Sequence, residues 1–114
     1  MKARNPLSGA PPYEVETALK KLGADLKTAR LRRNITSEEA AQKIGTSRFT
    51  VADAEKGKPS TGVAVYAALL WAYGLIDRLT DIADPSKDKE GMRLALARDP
   101  VRARHSGGKL SDDF

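Results

Sequence analysis

The stretch N34-I-T-S-E-E-A-A-Q-K-I-G-T-S-R-F-T-V-A-D-A-E-K-G57 decides the reading of this 114-residue chain. It holds two short helical patterns separated by very little. Thr36-Ser37-Glu38-Glu39 has the form of a capping box: the Thr36 hydroxyl accepts from the Glu39 backbone, and the Glu39 carboxylate reaches back to Thr36. Ala40, Ala41 and Ile44 continue that helix until Gly45, where a left-handed C-terminal cap belongs. Only Thr46 and Ser47 follow before the second pattern, about Arg48 to Glu55, and Ser47 is a good N-cap. Gly57 and then Pro59 stop it.

N-terminal to this stretch, Val15, Ala18, Leu19, Leu22, Leu26 and Ala29 recur at steps of three and four from Tyr13 to about Arg33, a long amphipathic helix with Asn34 as its stop. On the other side, Val63, Tyr66, Ala67, Leu70 and Trp71 predict a helix from about Gly62 to Tyr73, ending at Gly74. A further helix is expected over about Ile76 to Ala83, ended by Asp84-Pro85, and a weaker one over Met92 to Ala97. Residues 1–12, with Pro6, Gly9, Pro11 and Pro12, read as a flexible N-terminal segment, and residues 99–114 as a flexible tail. No β-branched run alternates convincingly, and there is no internal repeat. The expectation is an all-α bundle of about five helices in one domain over residues 13–98.

Composition supports this reading. Leu, Ile, Val and Phe make up only about a fifth of the chain, close to the level where disorder sets in, and alanine fills the gap. Ala-rich apolar faces suit closely packed helices, because Ala has the best helix propensity and adds little bulk. With no Cys, a disulfide scaffold, a thiolate zinc site and a cysteine nucleophile are excluded. The single His105 leaves little for metal binding or acid–base chemistry, so no enzyme, metal or cofactor is expected. The N-terminal residues lack the apolar core of a secretory signal. The uncharged stretch after Lys58 carries Pro59, Gly62 and Gly74, which fits a buried helix better than a membrane span. A cytoplasmic protein with no membrane contact is expected.

The net charge of +5 has an address. Residues 20–34 hold Lys20, Lys21, Lys27, Arg30, Arg32 and Arg33 against Asp25 alone. Such a stripe is either a solvated helix face or an attractor for a polyanion, of which nucleic acid is the commonest. Two short helices joined by a Gly-containing turn outline a helix-turn-helix, which favours the second possibility. At 100° per residue, Ser47, Val51 and Ala54 fall on one side of the second helix, small enough to pack inward. Arg48, Phe49, Ala52, Asp53 and Lys56 fall on the other.

An α-helix fits the major groove of double-stranded DNA, where Arg bonds guanine through two donors and Phe or Ala touches a thymine methyl. Asp53 accepts from a cytosine amino group or orients Lys56; alternatively, it is a surface carboxylate that repels phosphate. Ser37 and Ser47, at helix starts, suit phosphate contacts, although Ser47 is also occupied as a cap. Lys56 and Lys58 read as backbone clamps that fix register without reading sequence. Other motifs carry less. Asn34-Ile35-Thr36 matches a glycosylation acceptor in a chain that shows no sign of secretion. Gly57 to Gly62 lacks the Gly-Lys-Ser/Thr ending of a phosphate loop. Trp71 and Tyr73 read as core or subunit contacts, and Arg98, Arg102, Arg104 and Phe114 as parts of a tail able to meet DNA or a partner.

Residues 34–57 resemble the helix-turn-helix of the Xre/Cro-type regulators, on Thr36, Glu38, Glu39, Ala41, Gly45, Ser47, Val51, Glu55 and Gly57. Residues 66–85, YAALLWAYGLIDRLTDIADP, resemble the HipB-type branch of that family. The resemblance implies a λ-repressor-like fold and a sequence-specific repressor of its own operon, acting as a homodimer on a palindromic operator. Its subunit contact would lie in the helix after Ile76 and the C-terminal region. It further implies an antitoxin role beside a HipA-like serine/threonine kinase toxin, and an internal Arg30–Glu55 salt bridge. The chain departs from the family's pattern at Ser37 (usually Gln), Ala40 (usually Leu), Ala54 (usually Ile) and Asp53 (usually basic or neutral). Two rival readings are a stand-alone repressor with no toxin partner and a protein-interaction module that has lost DNA binding.

Overall fold

The computed structural model describes residues 6–98. They fall into two compact units divided between Leu79 and Thr80. Within the first unit, α1 is Pro6–Gly9, α2 Tyr13–Arg32, α3 Ser37–Ile44, α4 Arg48–Glu55 and α5 Val63–Ala72, and a 3-10 segment, Ile76–Asp81, runs across the division. The second unit contains a 3-10 turn, Pro85–Lys87, and α6, Lys89–Arg98. No strand occurs among the described residues.

α2 carries the pattern predicted for it, but burial begins only at Leu19. Tyr13, Val15 and Ala18 are exposed, so the periodicity extends past the packed face. Asn34, at φ +57°, turns the chain out of α2. Next, Thr36 Oγ1 accepts from the Glu39 N–H at 3.0 Å while Glu39 Oε1 accepts from the Thr36 N–H at 2.8 Å, the reciprocal cap expected of those residues. Gly45 ends α3 at φ +80°, and the Thr46 N–H reaches back to the Ala41 carbonyl. That left-handed step lets α4 start within three residues, which fixes the turn between the two helices.

The core of this unit is small: Leu26, Ala29, Ala40, Ala41, Val51, Ala54, Tyr66, Leu69 and Tyr73. Val51 and Ala54 of α4 are fully buried, as is Leu69 of α5. Ala40 and Ala54, small where the resemblance would have Leu and Ile, are both buried, and the Ala54 backbone lies close against Gly23 of α2. Tyr66 secures the loop after α4, donating its hydroxyl to the Lys58 carbonyl at 3.1 Å.

Several elements differ from expectation. The N-terminal segment contains a helical turn at α1, where Pro6 presets the first φ and the Ala10 N–H closes on the Pro6 carbonyl at 2.9 Å. The segment after Gly74 is a 3-10 run ending at Asp81, not an α-helix to Ala83; the Arg78 N–H bonds to Leu75, three residues back. α6 starts three residues earlier than Met92, because Asp88 Oδ1 accepts from the Gly91 N–H at 2.9 Å and caps it. Asp84 likewise caps the Pro85 turn. The Ser86 N–H and then its hydroxyl hold the Asp84 carboxyl below the usual carboxylate range. His105, Arg102, Arg104 and Phe114 lie outside the described residues.

Candidate nucleic-acid interface

The recognition candidate is α4, and three devices hold it. The first is its start. Ser47 Oγ accepts from the Thr50 N–H at 3.2 Å and also meets the Thr50 hydroxyl. Ser47 is exposed, so it is not part of the inward set with Val51 and Ala54; a residue at the N-cap lies before the first helical turn, where the angular arithmetic does not apply.

The second is an ion pair. Arg30 Nε donates to Glu55 Oε2 at 2.7 Å and its Nη2 to Oε1 at 3.2 Å, a two-pronged contact between α2 and the end of α4. Arg30 Nη1 also donates to the Ile35 carbonyl at 2.9 Å, tying in the α2–α3 turn. Both side chains are over nine-tenths buried. The hydrogen bond to Glu55 pushes the Arg30 guanidinium above its ordinary range, against the opposing pull of burial. Tyr73 lies in the same electrostatic neighbourhood; burial, followed by the Glu55 charge, pushes its phenol up.

The third device is a backbone contact that sequence reasoning missed. A Cβ placed on Gly23 of α2 would fall 2.5 Å from the Ala54 carbonyl oxygen and 2.6 Å from that of Glu55. The last turn of α4 therefore rests directly on the α2 backbone. Gly57, at φ +70°, makes the reciprocal approach to the Leu19 carbonyl. The signal was present: a glycine inside a long helix costs about 1 kcal/mol relative to alanine, so its presence asks for a packing reason.

Against this support, the outer surface of α4 stands free. Arg48 and Phe49 are both exposed, Phe49 at 68%, and the Arg48 guanidinium carbon lies 5.2 Å from the centre of the Phe49 ring. Ala52 and Asp53 are half-buried on the same helix, and Lys56 is exposed at its C-cap. Asp53 does not orient Lys56. Its Oδ1 pairs instead with Lys58 Nζ at 3.2 Å, because the chain turns back at Gly57 and brings residue 58 under the helix end. Ser37 is half-buried at the start of α3.

Elsewhere in the unit, Tyr73 is core while Trp71 is more than half exposed, with Lys43 Nζ 5.7 Å from its ring. Among the described residues no cluster of His, Cys, Asp or Glu could hold a metal ion. No helix among them is long and apolar enough to cross a membrane.

A family model described as a helix-turn-helix domain matches residues 21–81, more than half of the chain. The match takes in most of α2, all of α3, α4 and α5, and the 3-10 segment. No curated protein matches the chain.

Proposed function

This chain belongs to the helix-turn-helix domain family, and from that premise we propose that it is a sequence-specific transcriptional repressor whose α4 enters the major groove of operator DNA. The observation that carries the reading is the pairing of a firmly seated inner face with an exposed Arg48–Phe49 outer face. A groove-reading helix needs both. Its base contacts discriminate only if the helix cannot slide or roll, and Arg30–Glu55 with the Gly23 contact prevents that.

In this reading Arg48 and Phe49 address base edges and Ala52 lies alongside them. Ser37, Lys56 and Lys58 meet phosphates, and Ser47 offers its backbone end while its hydroxyl serves the cap. Ser37 and Asp53 are the residues that argue for lost DNA binding, Asp53 by its charge. Its pairing with Lys58 offsets that objection, since the carboxylate is partly neutralised before any phosphate approaches. One short helix spans few base pairs, so we assign a homodimer on two half-sites about one helical turn apart. The resemblance of residues 66–85 to the HipB-type branch supports a finer role: an antitoxin that represses its own operon and binds a HipA-like kinase toxin, resident in the cytoplasm and on the nucleoid.

Salt titration against duplex DNA tests the DNA-binding reading. Affinity should fall steeply as salt rises, with counterions released in proportion to the phosphates engaged. Arg48→Ala should cost about 1–3 kcal/mol and relax preference at one base position. Salt-independent binding would contradict the DNA-binding reading, and equal losses by Arg48→Ala on cognate and random duplexes would make Arg48 a phosphate contact. Co-purification with a kinase from the native host tests the antitoxin role.

A further inference from the structure

Where α3, the end of α5 and the α2–α3 turn meet, the surface of the first unit is hollowed into a cavity of about 240 Å³. Ile35, Ala40, Ala72 and Tyr73 supply its apolar walls. The Tyr73 hydroxyl is sealed from solvent, so the tyrosine adds no side-chain oxygen to the lining. A dry engineered cavity of about 150 Å³ takes a benzene. This hollow therefore has room for one bulky apolar group and little more.

Two cations flank it, each set over an aromatic ring. Lys43, part of the lining, holds its ammonium 5.7 Å from the centre of the Trp71 ring. Arg33 holds its guanidinium carbon 6.0 Å from the centre of the Tyr73 ring. Both distances fall within the roughly 6 Å reach of a cation–π contact. Neither cation forms an ion pair among the described residues, although Arg33 donates one N–H to the Ala29 carbonyl at 3.0 Å. The carboxylate in the lining, that of Glu39, is already spent on the α3 cap, where its Oε1 accepts from the Thr36 N–H. Beside this unmatched positive charge stands Trp71, 56% exposed. Tryptophan is the residue type most enriched among those that carry protein–protein binding energy.

We propose that this hollow docks a segment of another protein, one bulky apolar side chain flanked by carboxylates. The apolar side chain fills the hollow, the carboxylates pair with Lys43 and Arg33, and the Trp71 face covers the adjoining chain. Charge and size select this occupant. A second copy of the chain brings a net charge of +5 to a surface whose cations already lack partners. Nucleic acid would satisfy the cations but has no apolar group to fill the hollow. A small free acid would fill it and leave Trp71 uncovered. None of these side chains is among those assigned to DNA above, so this surface goes beyond that reading and does not rest on it.

The test presents the full chain with a display library of random peptides. Enriched peptides are expected to share one Leu, Ile, Met or Phe with Asp or Glu on both sides. Trp71 is the only tryptophan in the chain, so its emission reports on this surface. Titration with a synthetic enriched peptide should shift that emission. Alanine in place of the apolar residue should weaken binding about tenfold or more, and amides in place of the acids about fivefold. Lys43→Glu, at an exposed position, should cost the acidic peptide about fivefold or more and the amide peptide much less. Arg48→Ala should leave peptide binding unchanged, and duplex affinity measured on the same preparations keeps the two surfaces distinct. The docking surface is wrong if nothing is enriched, if the enriched peptides lack acids, or if Lys43→Glu weakens both peptides alike. Trp71 emission that ignores the peptide and follows the chain's own concentration would assign the hollow to a second copy instead. Phenylacetate binding as tightly as the peptide would make it a small-molecule site, which also overturns the proposal.

Discussion

Gly23→Ala is the smallest change that should dislodge the recognition helix. On an isolated helix it is favourable, by about 1 kcal/mol of propensity. Here the added methyl would lie 2.5 Å from the Ala54 carbonyl oxygen and 2.8 Å from the Glu55 carbonyl carbon, where ordinary contact begins near 3.4 Å. The obstacle is backbone, so no rotamer change relieves it; α2 and α4 must separate by most of an ångström. A gap of that size forfeits a quarter to a half of each dispersion contact across it, and overpacking of this kind costs about 1–3 kcal/mol. The separation also pulls on the Arg30–Glu55 bond. Set against the propensity gain, a net loss of up to about 2 kcal/mol is expected, read as a fall in melting temperature of up to roughly 15 °C for a domain of this size. Circular dichroism melts measure it. Gly62→Ala is the control, because nothing lies within 4 Å of a Cβ there and its φ is −66°; it should stay within about 0.5 kcal/mol of wild type. A Gly23→Ala protein that melts at or above the wild-type temperature would refute the close-contact reasoning.

Glu55→Ala should cost about 3–5 kcal/mol by urea denaturation, since it strands a buried guanidinium that is otherwise doubly bonded; a loss under 1 kcal/mol would show that the pair is solvated. Burial pushes the phenols of Tyr66 and Tyr73 above their usual 10.0. Between that value and the folded-state values the native chain holds more protons than the unfolded one, so stability is whole below about pH 10 and declines as pH rises further. Tyr73→Phe should shallow that alkaline decline in a pH series of denaturant melts, and an unchanged slope would count against its burial. Asp53→Asn frees Lys58 and removes a negative charge from the α4 face, so binding to duplex DNA should tighten several-fold at low salt, most clearly as a faster association; weaker binding would make Asp53 a base contact.

The parts of this fold that are written in local chemistry could be read from the residues alone. Thr36 with Glu39, Gly45, Ser47 and Gly57 each act within a few positions of themselves, and each sits where its chemistry places it. The inward placing of Val51 and Ala54 follows from helical period, and so does the exposure of Arg48 and Phe49. What escaped depends on distant chain. Gly23 meets Ala54 across about thirty residues, so the glycine signals a close approach without saying which part of the chain makes it. Asp53 chose Lys58 over Lys56 because the Gly57 turn redirects the backbone. The run after Gly74 had apolar spacing suited to an α-helix, yet six residues closed by bonds three apart settle as 3-10. The apolar pattern of α6 begins only at Met92, whereas Asp88 caps the helix ahead of it by accepting from the Gly91 N–H.

Dimethyl sulfate protection on a selected duplex puts the outer face of α4 to the most direct trial, because the reagent methylates guanine N7 in the major groove. Wild-type protein should shield one guanine in each half-site, and Arg48→Ala, still folded, should leave that guanine open while it holds the backbone less selectively. If the guanine reacts equally with and without wild-type protein, or stays shielded when Arg48 is gone, α4 does not read DNA through this face.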